Sequence, residues 1–573
     1  MRWWLFGWFC LRALYGPAQT TLHVTVADAE ASSWKRLSYQ QRHVDSTSAA
    51  REASRLVESL RQQAYAASAD QVVYRHDSLL VRLYIGPRFD FFLAPGNVLE
   101  PTLRAWGYQF LDGKLARFSY QHWVKLSERA LTHAENTGYP FASLRLDSVR
   151  TKNDSTRASI QYQSGPLIRF DSLLLSGNAR VKPAFLRVYL DLIPRRPFSQ
   201  EKVARVAQRL AQLPYLKLSQ PPSVRFFEDK AYVALALQAR KTNQFDGIIG
   251  FLPNQQAAGK LLITGEVKLQ LNNLFGMGRG LRLHWQQIRP ASPVLHLSYS
   301  HPTLFHTSLE LKGQVDLLKQ DTSFFNTERS LRLSYPWGKA SNISASVGLK
   351  TSRLTNSAQY RDASQLPAYS DVSYLSYGLG YEWNTLDDYF YPRRGFRLVL
   401  RGEAGNKKIL KNPFLNSQLY EGLALQTLQA SVQMVGQQYW SISRKSVVLL
   451  RLQTAKVASS RLFTNELFRL GGLNSLRGFN ENFFFASAYV VGTLEYQFFT
   501  EERTYLLLCY DQGWLSTPKA GGQLWEAPAG AGTGINFSTR AGAFTLVYSM
   551  GRFSQQSFGF NKANIHFGFV SIF

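Results

Sequence analysis

Ile565-His566-Phe567-Gly568-Phe569-Val570-Ser571-Ile572-Phe573 is an alternating aromatic strand at the C-terminal end of the sequence. An apolar strand at a chain end frays in water. In a closed barrel the strand ends at the membrane surface, where a terminal aromatic is well placed. The expectation is an outer-membrane β-barrel. Two upstream segments say which kind. Leu476-Arg477-Gly478-Phe479 sits in a long Gly/Asn-rich loop, and Tyr510-Asp511-Gln512-Gly513 closes a strand about thirty residues later.

The 573 residues leave room for several domains. Hydrophobic residues make up 45% and aromatics 14%, yet the mean hydropathy is −0.21. A helical membrane protein would score well above zero; a barrel does not, because half of its strand residues face a polar lumen. No apolar run after the N-terminus is long enough for a membrane helix. Met1 to Ala18 read as a secretory signal: Arg2 is a minimal basic start, Trp3 to Cys10 an apolar stretch, and Gly16-Pro17-Ala18 a small-residue cleavage site. The stretch is too short for a spanning anchor. Cys10 follows Phe9, where lipidation needs a small residue. Once Cys10 leaves, Cys509 is alone, which rules out an internal disulfide or a cysteine metal cluster.

The net charge is +27 and the pI about 10.0. Nucleic-acid binding is the reflex reading of such a balance. An exported chain does not meet nucleic acid, and these basic residues are dispersed. Anionic head groups of outer-membrane lipid and lipopolysaccharide, or acidic stretches of client chains, suit the charge better.

Residues 19–241 mix helices and strands, with a weak repeat of about eighty residues. Gly86-Pro87-Arg88-Phe89-Asp90 returns as Gly165-Pro166-Leu167-Ile168-Arg169-Phe170-Asp171. Three hairpins are expected at 71–85, 143–163 and 223–237. Each follows an amphipathic helix, with apolar faces carried by Leu56 and Leu60, by Leu126 and Ala130, and by Val206 and Leu210. The divisions read are a signal over 1–18, repeats over 19–86, 87–165 and 166–241, and a barrel over 242–573. Such a repeat buries one sheet face under helices and leaves an edge strand able to accept an extended chain.

After Lys241, period-2 alternation and turn residues mark sixteen strands: 245–252, 261–272, 280–287, 294–300, 307–319, 327–336, 342–353, 373–384, 395–404, 424–440, 446–458, 488–499, 504–511, 532–538, 542–551 and 564–573. An even count suits a bacterial single-chain barrel. Gln314, Asp316 and Lys319 read as polar lumen or rim positions. Between the eighth and ninth strands, Asn384 to Gly395 forms a periplasmic turn, with Asp388, Pro392 and Gly395 as its motif. Tyr389, Phe390 and Tyr391 there suit an interfacial girdle.

Thr137-Gly138-Tyr139-Pro140-Phe141-Ala142 and Ile168 to Asn178 resemble the periplasmic POTRA repeats of the BamA/TamA superfamily of outer-membrane assembly proteins. The Asp…Pro-x-x-Gly turn and Asn272-Asn273-Leu274-Phe275-Gly276-Met277-Gly278-Arg279-Gly280 resemble the same superfamily. The resemblance covers nearly all of the mature chain. It implies α+β POTRA repeats followed by a 16-stranded antiparallel transmembrane β-barrel. It also implies that the loop carrying Leu476, Arg477, Gly478 and Phe479 folds back into the lumen. Arg477 would then meet the barrel wall at Asp511, beside Gly513. A guanidinium forms bidentate bonds to a carboxylate, and a partly dry lumen strengthens them. Gly478 would let the tip approach the wall, and Phe479 would pack as a wedge.

The implied function is capture of unfolded outer-membrane clients by the repeats and lateral opening of the barrel where its first strand meets its last. Gly247 and Gly250 with Pro253 on one side, and Gly568 and Phe573 on the other, mark a weak seam. The repeat number leans toward the TamA-like branch, which would bring an inner-membrane-anchored TamB-like partner. The alternative is a two-partner-secretion transporter that exports one polypeptide through its lumen; a passive channel is remote. The chain carries no Gly-x-Ser-x-Gly elbow, His-Glu-x-x-His or phosphate loop, and no cofactor is expected. His296, His301 and His306 read as strand and turn polar residues rather than metal ligands.

Overall fold

The computed structural model describes residues 20–26, 39–62, 68–75, 78–85, 90–94, 96–98, 102, 106, 116–118, 120–152, 155–253, 261–287, 292–338, 340–361, 363–519, 522–539, 543–554, 557–560 and 563–570. The signal read at 1–18, the motif residues 86–89 and Phe573 lie outside them. The chain divides into two units, one running to Phe170 with two short later segments and one holding most of the rest.

The first unit contains two similar sheets. One has β1 (Thr20–Val26), β2 (Arg42–His43), β3 (Ser68–Arg75) and β4 (Ser78–Tyr84) in the order β2-β1-β4-β3, with helix α1 (Ser46–Gln62) between β2 and β3. The other has β5 (Asp90–Ala94), β6 (Ala116–Phe118), β7 (Ser143–Lys152) and β8 (Ser155–Gln163) in the order β6-β5-β8-β7, with α2 (Tyr120–Asn136) before β7. In each, the hairpin is antiparallel and its second strand runs parallel to an earlier one. The helix stripes read from the sequence are the buried ones. Ala53 packs with Leu22, Leu79 and Val81; Leu126 and Ala130 pack with Leu93, Trp106 and Ile160. β7 is an exposed edge strand.

The second unit begins with a third such sheet. It comprises β9 (Arg169–Gly177), β10 (Leu216–Leu218), β11 (Ser223–Phe227) and β12 (Lys230–Ala239), with helices α3 (Pro183–Tyr189) and α4 (Gln200–Ala211). Val203, Val206 and Leu210 of α4 are buried.

Seventeen strands follow in one continuous antiparallel sheet. They are β13 (Gln244–Pro253), β14 (Leu261–Leu274), β15 (Arg279–Gln287), β16 (Val294–Leu304), β17 (Leu309–Gln320), β18 (Phe324–Trp337), β19 (Ser341–Leu354), β20 (Val372–Asn384), β21 (Gly395–Ile409), β22 (Gln426–Ser441) and β23 (Ser446–Ser459). A separate hairpin in the next loop, β24 (Phe468–Leu470) and β25 (Phe484–Ala486), interrupts the order. The sheet resumes with β26 (Ala488–Phe499), β27 (Tyr505–Lys519), β28 (Gly522–Glu526), β29 (Ala529–Ser538), β30 (Ala543–Arg552) and β31 (Asn564–Val570). Among the described residues, β28 is in register with the far end of β27, whose nearer half pairs with β29. Without that short extension, sixteen strands form the wall. The sequence reading missed β24, β25 and β28, and it stopped β27 at 511 instead of 519.

Alternation explains the wall. Leu331, Leu333, Tyr335 and Trp337 of β18 face outward and are exposed, as are Tyr377 and Leu379 of β20 and Leu506, Leu508 and Tyr510 of β27. The intervening positions are Arg332, Ser334 and Pro336 on β18 and Gly378 on β20; on β27 they are Leu507 and Cys509, buried in an apolar cluster against which Leu473 of the loop packs. An apolar outside and a polar inside invert a water-soluble sheet and match a strand set in lipid. β13 and β31 come within 8 Å at their Cα atoms. Among the described residues, each is laddered only to the neighbour on its other side.

Candidate functional site

The long connection between β23 and β26 is fixed at its root and at its tip. At the root, Phe463 packs with Val372, Ile409, Leu415 and Tyr420. The Asn465 amide donates to the Ser352 hydroxyl at 2.6 Å and to the Ser370 carbonyl at 2.9 Å. The Lys407 ammonium, 0% exposed, donates to Glu466 at 2.5 Å and to the Arg461 carbonyl at 2.7 Å. Glu466 also accepts from the Phe463 N–H at 3.0 Å. The root is thus bound to β19, β21 and the connection before β20.

At the tip, Arg477 is buried. Its Nε donates to Asp511 Oδ2 at 2.7 Å, its Nη2 to Asp511 Oδ1 at 2.8 Å and its backbone N–H to Oδ2 at 3.0 Å. Its Nη1 donates to Glu495 Oε2 at 2.6 Å, and Gln497 holds the other Glu495 oxygen at 2.8 Å. The bidentate fork matches the carboxylate of Asp511, and burial removes competing water. Leu476 and Phe479 pack with Leu470, Phe484, Val491 and Leu515. The Phe479 ring meets Phe484 edge-on, with centroids 4.9 Å apart. Loop and wall therefore share one apolar cluster around one charged bond set.

The wall beneath the tip has been cleared of side chains. Asp511 stands opposite Gly530, and Gly530 opposite Gly551, in one row across β27, β29 and β30. A Cβ on Gly530 would lie 1.9 Å from the Arg477 carbonyl oxygen, and one on Gly551 would lie 2.6 Å from that of Gly478. Gly478 itself has φ +89, and its Cβ would meet the Met550 carbonyl at 2.6 Å. Only glycine serves there, on both conformational and steric grounds. Leu476 reaches the position where Gly513 lacks a side chain, at 3.3 Å. The Gly478 N–H donates to His566 Nε2 at 3.3 Å, and its carbonyl accepts from the Asn564 amide at 2.9 Å. The tip thus reaches the last strand.

The expected result of Gly530→Ala is a displaced loop tip in an intact barrel. Trypsin should then cut at Arg477, while electrophoretic heat-modifiability is retained. Gly402→Ala should be silent in the same assay, since nothing lies within 4 Å of its Cβ position.

The turn between β20 and β21 is built around two aspartates. Asp388 accepts the backbone N–H of Phe390 at 2.8 Å and of Tyr391 at 3.0 Å. Asp387 accepts that of Arg393 at 2.9 Å. Gly395 has φ +109, and a Cβ there would lie 2.4 Å from the Thr385 carbonyl. Pro392 lines the lumen beside them. Arg240, just after β12, donates to Asp388 at 2.8 Å and lies over the Phe390 ring. Burial alone would raise the Asp388 carboxyl, but the guanidinium and the two N–H groups outweigh it and hold it below the usual carboxylate range. A lowered folded-state value means stability that is present at neutral pH and lost as pH falls through it. Asp388→Ala should cost about 1–3 kcal/mol at neutral pH. It should also remove part of the acid-dependent fall in melting temperature, as read from thermal scans across the acidic range.

At the seam, Gly247 stands opposite Val267 and Gly250 opposite Thr264; Gly568 stands opposite Thr545, facing Leu473 of the loop. His296 bonds to Asp316, which Gln314 also holds at 2.7 Å. His301 lies within β16, and His306 in the turn after it. The sequence reading missed Glu495, Lys407, Asn564 and His566. Glu495 had a signal: it falls on the inward parity of β26, between outward Leu494 and Tyr496.

A model of the Omp85 superfamily domain matches residues 273–573. No curated protein matches the sequence. Among solved structures, CdiB from Escherichia coli is 14% identical, with 91% of this chain and 96% of that chain covered and a TM-score of 0.55. CdiB from Acinetobacter baumannii is 13% identical, covering 91% and 97%, with a TM-score of 0.51. BamA from Haemophilus ducreyi lacking POTRA domains 1-3 is 15% identical, covering 84% and 100%, with a TM-score of 0.42. At these identities the CdiB likeness concerns the fold. The family match spans more than half of the chain and contains both the latch and its glycine floor, and on that ground the chain belongs to the Omp85 superfamily.

Proposed function

We propose that this protein assembles outer-membrane clients, in the manner of the TamA-like branch. Membership of the Omp85 superfamily supports an outer-membrane location and a role in insertion or transport. The N-terminal sheets would lie in the periplasm and receive unfolded barrel or autotransporter chains by pairing along exposed edges such as β7. The barrel would then open between β13 and β31 and hand an edge to the client. The observation that carries this reading is the pair of edge strands, side by side and each laddered on its far flank. An edge with free backbone groups is a template for another strand. The protein would act by binding and strand exchange, without breaking covalent bonds. Its partners would be lipid, lipopolysaccharide, unfolded clients and an inner-membrane-anchored TamB-like protein.

The test is a quantitative outer-membrane and supernatant proteome after depletion of the protein. Loss of several unrelated barrel proteins supports assembly. Loss of one large secreted protein, with barrels unchanged, replaces this reading with a two-partner-secretion transporter.

A further inference from the structure

The lumen holds a cavity of about 630 Å³ at the end where the third repeat meets the wall. Tyr189 and Tyr215 of that repeat line it on one side, and β15, β17, β18 and β21 line it on the other. Its charge is one-sided. Arg397 is paired with Glu382 at 2.9 Å, and Asp388 with Arg240. That leaves Arg282, Lys312, Arg332 and Arg401 facing the single carboxylate of Glu310, and among the described residues no ion pair within 4 Å joins any of them. Lys312 stands directly opposite Arg332 in the β17–β18 ladder. Like charges in that position repel and cost stability. Arg282 and Arg401 add to the same field around Lys312.

A second observation is independent of the charges. Tyr215 lines this cavity, and its hydroxyl is buried with no hydrogen-bond partner among the described residues. A buried donor left without a bond is destabilising, and a ligand oxygen that accepts from it removes that cost. Burial also pushes this hydroxyl well above its ordinary titration range, so it remains a donor. Four cations set against one carboxylate, with an idle donor on a lining residue, describe a site for an acceptor-rich, negatively charged group around a chamber of ligand size.

We propose that the chamber is a seat for carboxylate-type oxyanions carried on an acidic polypeptide segment. A free phosphate offers the same oxygen chemistry, but one small ion fills little of this volume and leaves the spread of cations unmatched. A segment with several acidic side chains matches both. The inference does not need lateral opening. It concerns binding to the resting barrel and can be tested without any client being assembled.

The experiment is calorimetric titration of the full chain in detergent micelles with hexaglutamate and, separately, with inorganic phosphate, at low and at high salt. Hexaglutamate should bind at low salt and weaken at high salt. Arg332→Gln with Arg401→Gln should weaken it about ten-fold or more, a step of about 1.4 kcal/mol. Arg332→Lys with Arg401→Lys should retain binding, and Tyr215→Phe should lose about three-fold. If the glutamine variant fails to reach the heat-modifiable form, the Tyr215→Phe titration and the salt dependence of the natural protein decide. No binding of either probe overturns the proposal. So does hexaglutamate binding that ignores these substitutions. Phosphate binding without peptide binding assigns the seat to a small ion and overturns the acidic segment.

Discussion

Arg477→Ala releases the loop from the wall: chymotrypsin cuts within 471–483, at Leu473, Leu476, Phe479 or Phe483, the proposed client assembly falls to near background, and the barrel still migrates as a folded species. The size of the effect follows from what the substitution strands. Asp511 is 0% exposed, and the substitution removes both of its guanidinium bonds, leaving the backbone N–H of residue 477 as the loop's one remaining donor to it. Breaking a buried pair from one side costs about 3–5 kcal/mol, because the remaining charge has neither water nor partner. Asp511→Asn should produce the same phenotype from the other side. The double substitution should cost less than the sum of the two, since each single change already loses the shared bonds. Arg477→Lys should rescue poorly, because a point charge cannot serve Asp511 and Glu495 at once. A tip that stays protease-resistant in Arg477→Ala would show that the aromatic packing of Phe479 alone holds it.

A disulfide between β13 and β31, sought by scanning cysteine pairs over 246–250 and 565–569, should abolish assembly when oxidised and restore it on reduction. The barrel should remain folded in both states, since the cross-link closes a gap that is already short. Cysteine pairs whose Cα atoms lie about 5.5–6 Å apart are the ones expected to form. Cys509, buried on β27, should be replaced by serine beforehand so that it does not compete. Full activity in the oxidised form would rule out lateral opening while leaving the latch and the luminal cavity untouched.

The wall was legible in the sequence to within a few residues because a strand in lipid must alternate. The errors fall where that pressure ends. β21 was read as stopping at 404 and continues to Ile409. Its outward residues there are Ala404, Asn406 and Lys408, so the apolar signal fades while the ladder persists. β16 continues past 300 through His301 and Thr303 for the same reason. Arg477 and Asp511 were readable through the resemblance of their segments to the BamA/TamA superfamily; an Arg-Gly dipeptide alone reads as an ordinary loop arginine, and β27 runs on past Asp511 to Lys519. The root was not. Lys407 and Glu466 are far apart in sequence, and neither lies in a pattern that distinguishes it from a solvated charge. Glycines 530 and 551 were equally silent, since what they accommodate is backbone from another part of the chain.

The glycines beneath the loop also set the mechanics of the wall. On β29 they occupy every second position: Gly530, Gly532 and Gly534. Side chains at Gly532 and Gly534 would strike the β30 carbonyls of Tyr548 and Leu546, at 2.6 Å and 2.4 Å. Cross-strand side-chain pairs are what stiffen a sheet, and an inner face of glycine has none. Along these three positions of β29, backbone bonds and the inserted tip carry the load that side chains carry elsewhere; side-chain pairing resumes toward the far end of the strand, where Asn536 bonds Thr545 and Phe537 stacks on Phe544. The loop is then an internal splint on a pliable panel. Withdrawing it would leave the glycine positions of β29 with neither side-chain pairs nor the tip across them.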